Sequence, residues 1–193
     1  MAIEWTPTKR GGKALRPLIF ADFRESVTDR LAFFLASGIG SGLSPWGPGS
    51  LGSVLGIFLA YAVWDWPLAI RIAGLTLLCC AGIWASSVVT RITGVPDHPS
   101  IVVDEVAGMW ITAWMLDFQS PVGPIIAFIL FRVLDIFKPV PIRWVDRWSK
   151  GQVVHARGNP SGAWWAGFGV MADDIVAGAL GLIILYFTRW VHI

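Results

Sequence analysis

From Leu51 onward the chain runs through long apolar stretches separated by short polar breaks. The first stretch covers Leu51 to Trp64, the second Leu68 to Val89 and the third Ile101 to Leu116. The fourth covers Val122 to Phe137, and the fifth starts near Val170 and ends at Tyr186. Stretches of this length, without alternation of period two, predict helices. Several fall short of the roughly 20 residues needed to cross the hydrocarbon layer. Their charged ends are therefore expected to open into a protein-lined, wetted cleft. Asp65-Trp66-Pro67 predicts a tight turn between the first two, and Ser120-Pro121 with Gly123-Pro124 opens the fourth.

Three further elements frame these runs. Thr28 to Ile39 predicts an amphipathic helix capped by Thr28 or Asp29, with Leu31, Phe34 and Leu35 on one side. Ser37 to Ser53 is rich in Gly, Ser and Pro and is expected to be irregular. Pro141 to Trp148 carries Trp144 and Trp148 at i, i+4 among Arg143, Asp146 and Arg147, the pattern of a short helix lying in the membrane interface. The pattern predicts an all-α integral membrane bundle of about five apolar helices, plus the N-terminal amphipathic helix and the short interfacial helix. A polar, basic arm over residues 1–27 precedes a single membrane domain over 28–193.

Composition agrees. Hydrophobic residues make up 55% and charged residues only 15%, against about 25% charged in a soluble domain. Mean hydropathy is +0.63. Twelve tryptophans suit aromatic belts at the membrane surface. A net charge of +2 is too small to argue for nucleic acid, and no nucleic-acid partner is expected. Cys79 and Cys80, adjacent in an apolar run, read as small apolar fillers. Residues 1–30 lack the pattern of a cleavable signal peptide, so insertion is expected to depend on the internal segments.

Charge counting orients the bundle. If the arm is cytoplasmic and each run crosses once, thirteen of the fifteen Lys and Arg residues fall inside and only Arg71 and Arg189 outside. The same topology puts Asp97, Asp104, Glu105, Asp135, Asp173 and Asp174 on the cytoplasmic side. Asp104 and Glu105 begin the third run, Asp135 lies near the end of the fourth, and Asp173 with Asp174 begins the fifth. A carboxylate at a helix start can simply answer the macrodipole, but Asp135 sits deep in a run. Arg132, Asp135 and Lys138, at i, i+3 and i+6, share one helix face and could form a salt-bridge ladder. Asp146 reads as a surface ion-pair partner. Five carboxylates from three helices repel one another in a low dielectric and call for a cation. Hard oxygen donors select Mg²⁺, which also binds phosphate. The glycines between Gly38 and Gly52 could aim backbone amides at an anion, with Ser50 capping the next helix; a plain linker is the alternative.

Four blocks carry a resemblance. SGIGSGLSPWGPGSLGS (37–53), DHPSIVVDEVAGMWIT (97–112), FRVLDIFKPVPIRWVDR (131–147) and GFGVMADDIVAG (167–178) look, in order, like the successive blocks of the phosphatidylglycerophosphatase A family. The resemblance covers about residues 33–187. It implies an all-helical enzyme of the bacterial inner membrane, dependent on Mg²⁺, that removes the terminal phosphate of phosphatidylglycerophosphate to give phosphatidylglycerol. Its acidic and polar positions fall on Asp97, His98, Asp104, Glu105, Arg132, Asp135, Lys138, Asp173 and Asp174, and its loop positions on Ser44, Pro48, Gly49 and Ser50. The arm and a longer link over 149–166 depart from the family pattern.

On this reading Asp104, Glu105, Asp135, Asp173 and Asp174 hold one or two Mg²⁺ ions. Arg132, Lys138, Ser44, Gly49 and Ser50 meet the phosphate, and His98 protonates the leaving alkoxide or caps the next helix. Either a water made acidic by the metal or a carboxylate forming an aspartyl phosphate could attack phosphorus. The partners are a phospholipid substrate and the bilayer. The alternative function is a proton- or ion-coupled transporter, which would spread its acids to midplane depth. An alcohol phosphotransferase would need a D-x-x-D-G-x-x-A-R motif, which is missing. Ala177 and Gly181, at small-xxx-small spacing, permit close helix packing within or between chains, which leaves the oligomeric state open.

Overall fold

The computed structural model describes residues 9–10, 13–14, 26–95, 97–153 and 160–188, with side chains described for 26–95, 97–148 and 162–188. The expected N-terminal arm therefore lies largely outside the described residues. Within it the backbone forms a two-residue antiparallel pair, β1 (Lys9–Arg10) with β2 (Lys13–Ala14). The described body beyond it is helical, as the hydropathy pattern predicts: α1 (Val27–Ala36), α2 (Pro48–Ala62), α3 (Leu68–Thr93), α4 (Val103–Thr112), α5 (Val122–Phe137), α6 (Ile142–Val153) and α7 (Pro160–Phe187).

Helix ends show why the boundaries differ from the expected ones. Ser26, and not Thr28 or Asp29, caps α1: its hydroxyl accepts the Thr28 N–H at 3.1 Å. Helix α2 begins inside the stretch expected to be irregular. Gly47 turns the chain in the left-handed region (φ +55°), and Pro48 opens the helix with φ already fixed. Ser50 is thus in the first turn and not at the cap. Helix α3 stops at Gly94 (φ +65°), whose N–H reaches Thr90 O at 2.8 Å. The fifth apolar run extends about ten residues towards the N-terminus and becomes α7, 28 residues long. Asp173 and Asp174 therefore lie in the middle of a helix, where the macrodipole gives them no support. The stretch 149–166, expected as a lengthened link, splits into the end of α6 and the start of α7, with 154–159 outside the described residues.

Packing is centred on α7, which lies against α4 and α5, while α4 also meets α2, α3 and α5. Helix α7 also packs on α3 and α6, and α1 packs on α3. Close approach explains the glycines of α2. A Cβ at Gly52 would meet Val102 Cβ at 2.9 Å, and one at Gly56 would meet Val106 O at 2.6 Å. Residues 37–47 are irregular as expected, but 48–53, which composition marks as loop, belong to the helix that seats on α4. Between α4 and α7, Gly108 and Gly178 touch backbone to backbone, and Gly181 lies against Thr112. The small residues of α7 thus serve packing within the chain. Two apolar cores result. One, around Phe33, Val89 and Met171, joins α1, α3 and α7. The other, around Met109, Phe131 and Leu185, joins α4, α5 and α7.

Two helices, Leu68–Thr93 and Gly162–Phe187, are long and apolar enough to cross a membrane. At 1.5 Å per residue, α2, α4 and α5 reach only about 22, 15 and 24 Å. Even so, α5 turns Ile125, Ile129, Val133 and Ile136 outward, a continuous apolar stripe at helical spacing.

Candidate active site

The acidic positions converge because α4, α5 and α7 are held together by glycine contacts. Asp104 and Glu105 occupy the first turn of α4. One turn on, a Cβ at Gly108 would come within 2.5 Å of Asp174 O and 2.7 Å of Phe131. That close approach brings the Asp174 carboxylate to the start of α4. One carboxylate oxygen from each of Asp104, Glu105 and Asp174 lies within 4.8 Å of the others. Asp104 and Asp174 are buried, and Glu105 is half-buried.

The other two acids are matched differently. Asp135 Oδ2 accepts from Arg132 Nη1 at 2.7 Å, one turn apart on α5. The ladder expected along α5 stops there. Lys138 is the C-cap of α5 in the left-handed region (φ +43°), a rare conformation for a residue with a side chain. It turns its ammonium away from Asp135, donating to Asp146 Oδ1 at 2.8 Å and to Asp173 Oδ2. Burial works against the Lys138 charge, but Asp173 and Asp146 outweigh it and hold its pKa above the ordinary lysine value. Asp146, expected as a surface ion-pair partner, makes the ion pair but is buried, at 8% exposure. Ile142, also buried and one turn back on α6, was the sequence signal for that inward face.

Among the described residues the three acids brought together make no ion pair; Arg132 and Lys138 act on Glu105 and Asp174 only from farther away. Asp104 Oδ1 and Glu105 Oε2 are buried and unpartnered among the described residues. A buried carboxylate oxygen without a partner is costly, and adjacent carboxylates add repulsion. Three hard oxygen donors with orphaned atoms fit a divalent cation such as Mg²⁺.

The loop residues divide. Gly49 lines the cluster: a Cβ there would collide with Glu105 Oε1 and lie 3.2 Å from Arg132 Nη1. The first turn of α2 thus faces Glu105 and Arg132, with the amides of Gly49 and Ser50 preceding the helix's first intrahelical bond, from Leu51 N–H to Gly47 O. Ser44 is turned back on its own loop, its hydroxyl accepting from Trp46 N–H at 3.2 Å and donating to Trp46 O at 3.1 Å. His98 is buried, and its Nδ1 accepts the Ser100 N–H at 3.1 Å. A neutral ring in that position carries its proton on Nε2. Asp97 (φ +50°) stands beside it, within electrostatic reach of Asp104 and Asp173.

Known proteins are similar to this chain in sequence. The family model for phosphatidylglycerophosphatase A matches residues 34–157. The chain belongs to the phosphatidylglycerophosphatase A family. It is 40% identical over 153 residues to phosphatidylglycerophosphatase A of Escherichia coli (strain K12), covering 79% of this chain and 80% of that protein. The Haemophilus influenzae protein of the same name is 34% identical over 79% of this chain and 85% of its own length. A Bacteroides thetaiotaomicron protein, named provisionally as a phosphatidylinositol-3-phosphatase, is 31% identical over 83% of this chain and 95% of its own. No solved structure matches the chain at a significant level. Membership makes the chain a phosphatase.

Proposed function

We propose that the chain hydrolyses the terminal phosphomonoester of phosphatidylglycerophosphate, giving phosphatidylglycerol, with Mg²⁺ held by Asp104, Glu105 and Asp174. The observation that carries this reading is the set of three converging carboxylates, with Asp104 Oδ1 and Glu105 Oε2 buried and unpartnered among the described residues, inside a family of lipid phosphatases. When bound there, Mg²⁺ supplies Lewis acidity to phosphate oxygens and raises the acidity of a water molecule.

The chain's own groups do the rest. Asp135 uses one donor of the Arg132 guanidinium and so fixes its plane, leaving further N–H groups for the phosphate. The first-turn amides of α2 add an anion-binding end beside it. Lys138 supplies positive charge on the Asp173 side, held charged by its two carboxylate partners. His98 Nε2 is the donor proposed to meet the leaving glycerol oxygen. Asp135 and Asp173 act through the cations they orient and complete the five-acid site. Attack by water and attack by a carboxylate both fit this arrangement, and trapping of an aspartyl phosphate separates them.

The membrane placement follows the charge count. A bundle with the start of α4 and the end of α5 on the cytoplasmic side of a bacterial inner membrane, its acid cluster opening to that side, puts nearly all the cations inside. Helices α3 and α7 cross, and the outward apolar stripe of α5 supports immersion of the shorter helices beside them.

Purified protein tested on phosphatidylglycerophosphate with and without Mg²⁺ decides the matter. The expected result is phosphate release that stops with chelator and returns with Mg²⁺. Ion flux in liposomes without phosphate release would favour the transporter reading instead. Release from phosphatidylinositol 3-phosphate, and none from phosphatidylglycerophosphate, would move the substrate to the class named for the Bacteroides relative.

A further inference from the structure

Helix α7 continues about thirteen residues past the acid cluster towards its N-terminus, where it packs against α6. There α6 has two opposite faces. Its inner face buries Ile142 and Asp146, and Asp146 holds Lys138 against Asp173, the neighbour of the cluster residue Asp174. Its outer face carries a basic stripe, Arg143 and Arg147, beside an aromatic stripe, Trp144 and Trp148, each pair one turn apart and exposed. Trp148 stands edge-on to Trp165 and Phe168 of α7, with ring centroids 6.1 and 6.0 Å away, so the aromatic surface continues onto α7. Trp144 is 64% exposed and Trp164 and Trp165 are each 48% exposed.

Exposed tryptophans cost free energy in water but suit the headgroup zone, where a ring has one apolar and one wet side. Arginines interleaved with them add attraction for phosphate groups. We infer that the outer face of α6, continued on the start of α7, docks on anionic phospholipid headgroups, and that Asp146 is a positioning residue linking this docked helix to Lys138 and the active site. The occupant is a lipid surface because the outer face pairs cations with tryptophans along a single helix packed against the membrane-length helix α7. The link to catalysis, but not the docking, rests on the phosphatase reading given above.

The test uses the full chain in nanodiscs of phosphatidylcholine alone and of phosphatidylcholine with phosphatidylserine, which is neither substrate nor product. Hydrogen exchange over 142–153 is expected to slow several-fold in the anionic discs. Arg143→Gln/Arg147→Gln is expected to erase that difference, while Arg143→Lys/Arg147→Lys keeps it. Equal exchange in both discs for the wild type overturns the docking, whatever the activity. Slowed exchange with no phosphate release overturns the phosphatase reading and leaves docking standing. Asp146→Asn leaves the outer face intact and is expected to keep the exchange difference while kcat falls on the order of tenfold with KM little changed. An Asp146→Asn enzyme with wild-type kcat removes Asp146 from the link.

Discussion

The two groups of acids at this end of the bundle have similar burial and opposite partners. Asp135 and Asp173 each face a cation of the chain, Arg132 and Lys138. Asp104, Glu105 and Asp174 face one another, with two buried oxygens unpartnered among the described residues. A buried charge needs an opposite charge or a proton. The first group is complete as folded, and the second needs something from outside the chain. On the proposed reading, the difference separates residues that build and orient the site from residues that would recruit a cation to it.

The largest expected effect breaks the second group. Glu105→Gln and Asp174→Asn should each lower phosphate release by more than about 10²-fold, beyond what loss of an outer-shell partner costs a metal site. In chelator the same variants should melt at a higher temperature than the wild type, because each removes an uncompensated buried charge. Asp173→Asn should melt lower, since it strips Lys138 of a partner. A thermal scan of the three therefore reads the comparison directly, and equal shifts would erase it.

Next come the groups proposed to meet phosphate. Arg132→Gln should cost about 10²-fold in kcat, the scale of losing one donor to a developing oxyanion. Asp135→Asn should cost about 10- to 100-fold by letting the guanidinium turn, with the protein still folded in the membrane fraction. Gly49→Ala should cost about tenfold. Its Cβ would push on Glu105 and crowd Arg132 at a position where helix propensity favours alanine. Activity loss without loss of stability is the signature to seek.

Stability effects of the paired group are smaller. Lys138→Met should lower stability by about 1–3 kcal/mol and should do so with or without Mg²⁺, measured by thermal melting in detergent. The Arg91–Asp29 pair, 3.5 Å apart with Arg91 57% exposed, is the low end of the scale. Asp29→Asn should move stability by less than about 0.5 kcal/mol.

How much of this could be read from the chain alone depends on scale. The apolar runs located α2 to α5 to within a few residues, because hydropathy at helical length is a strong signal. The start of α2 was hidden because Gly47, Gly49 and Gly52 look like loop residues until the helix that α2 packs against is known. The first half of α7 was hidden likewise: Gly162, Gly167 and Gly169 interrupt the apolar run, yet Gly167 sits against Ser87 and Ile83 O of α3. Without that half, Asp173 and Asp174 resembled a helix start. The five acids were legible as a set, but their division was not. It depends on Lys138 adopting a left-handed cap, which swings its ammonium from Asp135 to Asp146 and Asp173, and no spacing rule encodes that turn.

Metal binding measured apart from turnover tests the central claim most directly. Titrating the purified, chelator-treated protein with Mn²⁺ and counting free ion by electron paramagnetic resonance should show saturable binding that Mg²⁺ displaces. Binding should be lost in Asp174→Asn and retained in Asp146→Asn. Undiminished Mn²⁺ binding by Asp174→Asn would contradict the assignment of Asp104, Glu105 and Asp174 as the metal centre.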